Sequence, residues 1–137
     1  MQDNHSKSFQ GVLRGLHYQL HPRAQAKLVR VVKGEIFDVA IDLRRNSPSF
    51  GSWVGQILSD ENKFQMWIPE GFANGFLVLS QDAEVVYKVT ESYSPEYERC
   101  ILWSDQTLNI RWPLNTQPLM SDRDLSGTSF KDAEVYN

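Results

Sequence analysis

The chain has 137 residues and a formal net charge of −3, from 14 lysines and arginines against 17 aspartates and glutamates. A hydrophobic fraction of 41%, with 12% aromatic residues, is typical of a globular domain and argues against disorder. No apolar run is long enough for a bilayer, the N-terminus does not resemble a signal peptide, and the mild acidity gives no nucleic-acid footprint. We therefore expect one domain over residues 1–137, in the cytoplasm, with no nucleic-acid or membrane partner.

Alternation of apolar and polar residues predicts a series of short strands. In chain order these are residues 12–19, 27–33, 35–43, 53–58, 64–68, 76–79, 84–90 and 99–103. Gly34, between the second and third, suits a tight hairpin, and the polar segment after Pro118 is compatible with a short helix or turn. Many short strands separated by turn signals favour an all-β sandwich, jelly roll or barrel.

The third predicted strand shows the clearest pattern. Its positions 37, 39, 41 and 43 are all apolar, whereas positions 38, 40 and 42 are Asp, Ala and Asp. This alternation predicts a strand with one apolar face.

Cysteine and histidine usage argues against metal chemistry. Cys100 is the only cysteine, which excludes an intrachain disulfide and a zinc site built from cysteines. His5, His17 and His21 include no His-x-His pair, and no phosphate loop, dinucleotide glycine motif or serine-nucleophile elbow is present. The sequence thus predicts no metal and no cofactor.

Three residues could carry chemistry, each with a plainer structural interpretation. His17 is either a general base or a histidine satisfied by an ordinary hydrogen bond. Lys27 shares a face with apolar residues, so it either has a function inside or reaches water at the strand end. Tyr87 lies between Val85 and Val89, as either a buried acid or a simple core tyrosine.

Basic residues also cluster along the first predicted strands. The cluster comprises Arg14, Arg23, Lys27, Arg30 and Lys33. It suits either a solvated strand face or a bound diphosphate.

The motif Arg14-Gly-Leu-His17 belongs to a series of segments that resembles the dTDP-4-dehydrorhamnose 3,5-epimerase family over nearly the whole chain. The other matching segments are residues 2–6, 27–30, 34–40, 47–51, 67–72, 93–95, 112–113 and 121–124. The resemblance implies a cupin-type double-stranded β-helix (jelly roll), a homodimer without metal or organic cofactor, and a dTDP-linked 4-keto-6-deoxyhexose as substrate.

The resemblance also implies a role for individual residues. It places the base on His17, its partner carboxylate on Asp124, the proton donor on Tyr87 and thymine stacking on Tyr93. The implied substrate and diphosphate contacts are Arg14, Lys27, Glu98 and Arg123, and the implied nucleotide contacts are Gln2, Asp3 and Asn4.

The chemistry of such a substrate agrees with these residue types. The C4 carbonyl acidifies the C–H bonds at C3 and C5, so a histidine can remove a proton and a lysine can stabilise the enolate. An acid on the opposite face, here Tyr87, then completes the inversion. Arg14 and His17 have opposite parity on a regular strand, which predicts a bulge at Gly15.

Two departures from the family pattern leave an alternative open. Asn74 stands where the family has a second active-site histidine; it can donate a hydrogen bond but cannot shuttle a proton. The family also has an N-terminal segment before Gln2, so the chain is expected to be shortened there. The alternative function is a catalytically impaired nucleotide-sugar-binding cupin; a purely structural β-sandwich would leave the reactive residues unexplained.

Overall fold

A computed structural model describes residues 1–137 and shows an almost entirely β fold. The elements are β1 (Gln2–Phe9), β2 (Leu13–Gln19), β3 (Lys27–Lys33), β4 (Glu35–Asp42), β5 (Trp53–Ser59), β6 (Gln65–Ile68), β7 (Phe72–Val78), β8 (Asp82–Val89), β9 (Glu98–Cys100), α1 (Asp122–Leu125) and a 3₁₀ turn (Phe130–Asp132). Neither helical segment is long or apolar enough to cross a membrane.

The strands form two antiparallel sheets that pack face to face. One sheet has the order β1-β8-β3-β6 and the other the order β5-β4-β7-β2-β9. Sequence neighbours such as β3 and β4 lie in different sheets, as in a double-stranded β-helix. The predicted all-β jelly roll is confirmed.

Two apolar clusters hold the sheets in place. The inner cluster fills the space between the sheets and comprises Val29, Val31, Ile36, Ala40, Leu58, Ile68, Phe76, Val78, Ala83 and Val85. The outer cluster covers the other face of the five-stranded sheet and comprises Leu16, Tyr18, Ala24, Val39, Ile41, Leu43, Ala73, Ile101, Leu108 and Tyr136. The C-terminal segment thus acts as a cover for the larger sheet.

The predicted hairpin at Gly34 is wrong. β3 pairs with β6 and β8, whereas β4 pairs with β5 and β7, so Gly34 carries the chain from one sheet to the other. Gly34 has φ +88°, and a Cβ there would lie 2.2 Å from the carbonyl oxygen of Asp82. Glycine marks the crossing because the backbone is both left-handed and crowded.

The predicted apolar face of β4 is confirmed in the outer cluster, but the opposite face of this strand, which carries Asp38 and Asp42, is buried too. The inner cluster covers one face and the C-terminal segment covers the other. Asp38 and Asp42 are consequently 0% and 1% exposed.

β1 was not predicted because its sequence is polar. It pairs with β8 along its whole length, from Gln2 opposite Val89 to Phe9 opposite Asp82. Its even-numbered residues are less exposed than its odd-numbered ones, so one row of polar side chains faces the interior. This row forms one wall of the site described next.

Candidate active site

A cavity of about 390 Å³ lies between the two sheets and is walled by both. All but one of the residues predicted from the sequence border it. They are His17, Asp124, Tyr87, Lys27, Arg14, Gln2, Asn4, Asn74, Tyr93, Glu98 and Arg123. Asp3 is the exception: β1 alternation turns it to the outer face, where its carboxylate accepts a hydrogen bond from Lys88 at 2.9 Å.

His17 lies between two carboxylates. Its Nε2 is 3.1 Å from Oδ1 of Asp124, and its Nδ1 is 3.1 Å from Oε1 of Glu98, although Nδ1 makes no well-aligned hydrogen bond. Burial disfavours the imidazolium, but the two carboxylates outweigh burial and raise the pKa of His17 above its ordinary 6.5. The resting imidazole is therefore biased toward the protonated form.

Backbone and helix-cap contacts fix the two carboxylates. Asp124 is the buried residue of α1, where its amide donates to the Ser121 hydroxyl, and its Oδ2 accepts from the amide of Gly15 at 3.1 Å. Glu98 on β9 is 3.0 Å from Nη2 of Arg123. Burial opposes ionisation of both carboxyls, but the pKa values of Asp124 and Glu98 are lowered, chiefly by His17. Both act as fixed negative charges beside the imidazole.

The predicted bulge at Gly15 is confirmed, and it sets the position of His17. The register between β2 and β7 shifts between Arg14 and His17, so both side chains reach the cavity. Gly15 has φ +131°, and a Cβ there would lie 2.6 Å from the Cα of Gly75. Only glycine fits this approach.

The opposite wall carries a phenol and an ammonium group. Tyr87 projects from β8 and Lys27 from β3, both in the four-stranded sheet, and Nζ of Lys27 lies 5.9 Å from the Tyr87 ring centroid. Burial raises the pKa of Tyr87, so the phenol stays protonated near neutral pH. Burial lowers the pKa of Lys27, with Asp38 and Glu98 opposing the shift.

Asn74 is held by groups behind the cavity wall. Its Nδ2 donates to Oδ1 of Asp38 at 2.9 Å and to the carbonyl of Val39 at 3.0 Å. Burial raises the pKa of Asp38 to about 7, against the hydrogen bond from Asn74 and the charge of Lys27. Both hydrogens of the amide are engaged, so the free polar atom of Asn74 is its carbonyl oxygen.

The polar rim of the cavity is linked by weaker hydrogen bonds. Gln2 donates to Asn4 at 3.1 Å, and its carbonyl oxygen accepts from the amide of Tyr93 at 3.4 Å. Arg123 donates to the Tyr93 hydroxyl at 3.4 Å. Tyr93 is 51% exposed, so a flat aromatic ring and a guanidinium stand together at the entrance.

Sequence reasoning missed two features of this site. Asp38 was placed opposite the apolar face of its strand and given no role, although an acidic residue inside so apolar a segment could have been interpreted as a buried partner. Glu98 was predicted only as a substrate contact, yet it is a second carboxylate on His17. That pairing depends on the β2–β9 register, which no local pattern encodes.

The cavity therefore has a histidine between two carboxylates on one wall, and a phenol and a lysine side chain on the facing wall. A sequence model of the family described as dTDP-4-dehydrorhamnose 3,5-epimerase matches residues 1–132. The chain belongs to the dTDP-4-dehydrorhamnose 3,5-epimerase family. Among members of this family, a dTDP-4-dehydrorhamnose 3,5-epimerase of Shigella flexneri is 62% identical over 99% of this chain and 75% of its own length.

Solved structures of such epimerases also superimpose closely. An epimerase from Legionella pneumophila, in complex with dTDP-4-keto-L-rhamnose, is 52% identical with a TM-score of 0.94, covering 98% of this chain and 71% of its own. A 3′-monoepimerase from Streptomyces bikiniensis, in complex with dTDP-quinovose, is 36% identical with a TM-score of 0.90, covering 95% and 66%. Epimerases with this architecture thus include a monoepimerase.

Proposed function

We propose that the chain is an epimerase that inverts C3, C5 or both carbons of a dTDP-linked 4-keto-6-deoxyhexose. The observation that carries the proposal is the position of His17 between two carboxylates on one wall, with Tyr87 and Lys27 on the other. The membership of the chain in the epimerase family supports the same reaction. No metal or organic cofactor has a step in it.

The first step is proton abstraction. The carbonyl at C4 acidifies the adjacent C–H bonds, and neutral His17 takes the proton while the C–H electron pair moves toward O4. Asp124 holds the ring in place and stabilises the imidazolium that forms. Asp124 and Glu98 already favour the imidazolium in the free protein, which makes His17 a stronger base. Because its pKa is raised, a higher pH is needed before the neutral, active form of His17 is populated.

The second step is return of a proton to the opposite face. Lys27 stabilises the enolate oxygen from the wall facing His17, where a buried cation is effective because the medium is poorly polarisable. Tyr87 then donates its phenolic proton to carbon, and solvent restores the phenol. Because β2 and β8 belong to facing sheets, base and acid approach the sugar ring from opposite sides.

Asn74 acts in this proposal as a hydrogen-bond acceptor, whereas the sequence suggested that it could donate to the substrate. Both of its N–H groups are committed to Asp38 and Val39, so it has no donor left for the substrate carbonyl. Its oxygen can accept a hydrogen bond from a sugar hydroxyl instead. In this proposal the enolate depends on Lys27, and Asn74 orients the ring.

The rim would hold the nucleotide. Tyr93 offers an exposed ring on which thymine can stack, while Gln2 and Asn4 supply polar contacts from β1. Arg14 and Arg123 are the cations placed to bind the diphosphate. Asp3 has no part, because its carboxylate lies on the outer face.

Hydrogen exchange with solvent tests the function directly. The purified protein is incubated with the dTDP-4-keto-6-deoxyhexose in D₂O, and deuterium at C3 and C5 is measured by NMR and mass spectrometry. The proposal expects exchange at one or both carbons with inversion, and no exchange with His17→Asn. Absence of exchange at high protein concentration would overturn it.

The alternative, a binding protein without turnover, is not favoured. It was motivated by Asn74 and by the expected shortening before Gln2, while His17, Tyr87 and Lys27 all border the cavity. Calorimetric binding of dTDP together with no exchange would support that alternative.

We also propose a homodimer, as the family resemblance implies. Val54 and Ile57 on the edge strand β5 are 59% and 41% exposed, which leaves apolar surface beside unpaired backbone groups. Light scattering during gel filtration tests this, since a monomeric mass would contradict it. The cytoplasmic location stays a prediction from the sequence.

A further inference from the structure

His17 also belongs to a cluster of possible metal-ligating side chains, together with Cys100 and Asp124. Cys100 lies directly opposite His17 in the β2–β9 pair. Its Sγ is 4.0 Å from Oδ1 of Asp124, and that same oxygen is 3.1 Å from Nε2 of His17. One nitrogen, one sulfur and one carboxylate oxygen thus all lie within 4.8 Å of one another.

These separations fit one small cation. Zinc binds nitrogen and oxygen at about 2.0–2.2 Å and sulfur at about 2.3 Å, so a tetrahedral ion holds such ligand atoms about 3.4–3.6 Å apart. The nitrogen–oxygen and sulfur–oxygen separations here, 3.1 and 4.0 Å, lie on either side of that range. Side-chain adjustments of about 1 Å would bring all three atoms onto one ion.

The surroundings of His17 support the same site. Histidine ligands of zinc commonly donate their other ring N–H to a carboxylate. Here Glu98 lies 3.1 Å from Nδ1 and is itself held by Arg123 at 3.0 Å. The ring is therefore already oriented with Nε2 toward Asp124 and Cys100, and the open cavity gives access to a fourth, water ligand.

We propose that His17, Cys100 and Asp124 form a binding site for a thiophilic divalent cation, zinc in particular, and that the bound ion inhibits the enzyme. Binding releases the thiol proton of Cys100, and any proton on Nε2, to solvent. The ion then occupies Nε2 while Nδ1–H faces Glu98, so the imidazole has no free electron pair for a substrate proton. The inhibition half of this inference rests on the proposed function; the binding half does not.

The sulfur ligand sets which ions bind. Thiolate favours zinc and cadmium over magnesium and calcium, which prefer oxygen. Cys100 does not border the substrate cavity, so its sulfur can be removed without removing a proposed substrate contact. This makes Cys100→Ser the informative variant, with Cys100→Ala as a second in case the first does not fold.

The test combines binding and activity. Wild-type protein and Cys100→Ser are titrated with Zn²⁺ by calorimetry and with Cd²⁺ by ultraviolet absorption of the cadmium–thiolate bond, with Mg²⁺ as the control ion. We expect saturable binding and loss of solvent exchange into the sugar for the wild type. We expect the variant to keep its exchange activity, lose the thiolate band and bind Zn²⁺ at least about tenfold more weakly.

Two results would overturn the site: no thiolate band in the wild type, or equal zinc sensitivity of wild type and both Cys100 variants. Zinc binding that leaves exchange undiminished would overturn the inhibitory role. A protein that gives the cadmium band but never exchanges deuterium would retain the metal site and refute the proposed function, so the two failures are distinguishable.

Discussion

His17 is the residue on which most of the site's electrostatics converges. It has a carboxylate within 3.1 Å of each ring nitrogen, and one of these carboxylates is shared with Arg123. The charges balance locally only when the ring is protonated. If His17 is the base, as proposed, it must lose this proton before it can act, and its raised pKa sets the pH at which activity begins.

Glu98→Gln should move the onset of activity to lower pH. Glu98 helps to raise the pKa of His17, so removing its charge lowers that pKa and the neutral base forms earlier as pH rises. The acidic limb of the pH profile of kcat/KM measures the shift. Glu96→Gln, an exposed neighbour, is the control and should leave the limb in place; a limb that moves upward or not at all in Glu98→Gln would contradict the assignment.

Tyr87→Phe should separate exchange from inversion. His17 can still remove a proton and return a solvent-derived one to the same face, so deuterium enters the sugar while the opposite face receives no proton. We expect product formation to fall by about 10²–10⁴-fold with exchange largely retained. NMR of the sugar in D₂O distinguishes the two; equal loss of both would place Tyr87 outside the acid role. Tyr97→Phe serves as the matched control.

For single residues, the sequence predicted well which residue types the site contains, but less well which way each side chain faces. The alternation of β8 correctly turned Tyr87 inward, and that of β3 did the same for Lys27. Asp3 was placed with Gln2 and Asn4 by family likeness, although strand pleating puts neighbours on opposite faces. Asp38 was missed because burial of both faces of β4 is decided by segments far away in the chain.

Among the elements, β2 carries the greatest constraint because its bulge places two cavity residues on one wall. Gly15 packs against the backbone of Gly75 on β7, while its amide holds Asp124. Strand geometry and catalytic geometry are therefore fixed by the same few atoms.

Gly15→Ala should cost both stability and activity. Its Cβ would approach the Cα of Gly75 to 2.6 Å at φ +131°, so the strand must shift. We expect a loss of about 3 kcal/mol in the free energy of unfolding, measured by urea denaturation, and a large fall in kcat.

Gly11→Ala is the control for this substitution. Gly11 also has positive φ, +84°, but nothing lies within 4 Å of an added Cβ. Only the conformational cost of about 1–2 kcal/mol applies, with little change in kcat. Equal effects of the two substitutions would show that crowding at the bulge is unimportant.

Strands were predicted well only where one face carries an apolar signal. Strands with strong alternation, such as β3 and β8, were located within a residue or two. β1 was missed because its inward residues face a polar cavity and carry no apolar signal. The Gly34 turn was assigned to a hairpin because local geometry does not show which sheet the next strand will join.

Across the whole molecule, the C-terminal segment closes the outer face of the sheet that carries His17. Tyr136 is 6% exposed and donates a hydrogen bond from its hydroxyl to the carbonyl of Gln19. Tyr18 donates in turn to the carbonyl of Glu134 at 2.6 Å. The last residues thus fasten onto β2. The single domain over residues 1–137 stays a prediction from the sequence.

Tyr136→Ala should destabilise the fold by about 3–5 kcal/mol, because it empties a site in the outer cluster. Tyr136→Phe retains the ring and loses one hydrogen bond, so we expect a cost of about 1–2 kcal/mol. Urea unfolding followed by tryptophan fluorescence measures both. Equal costs would mean that the hydroxyl, rather than the packing, holds the segment.

The proposed base, His17, lies on one sheet and the proposed acid, Tyr87, on the other, so their separation depends on how the two sheets pack. The distance between the two sheets at the cavity is set by the apolar layer beneath it. In that layer Val29, Phe76 and Val85 belong both to the inner cluster and to the cavity floor. Interiors packed as tightly as crystals resist compression. This apolar floor therefore fixes the distance between the two sheets, and with it the size of sugar ring that fits between His17 and Tyr87. Substitutions that repack the floor would change the rate of proton transfer while leaving every reactive side chain in place.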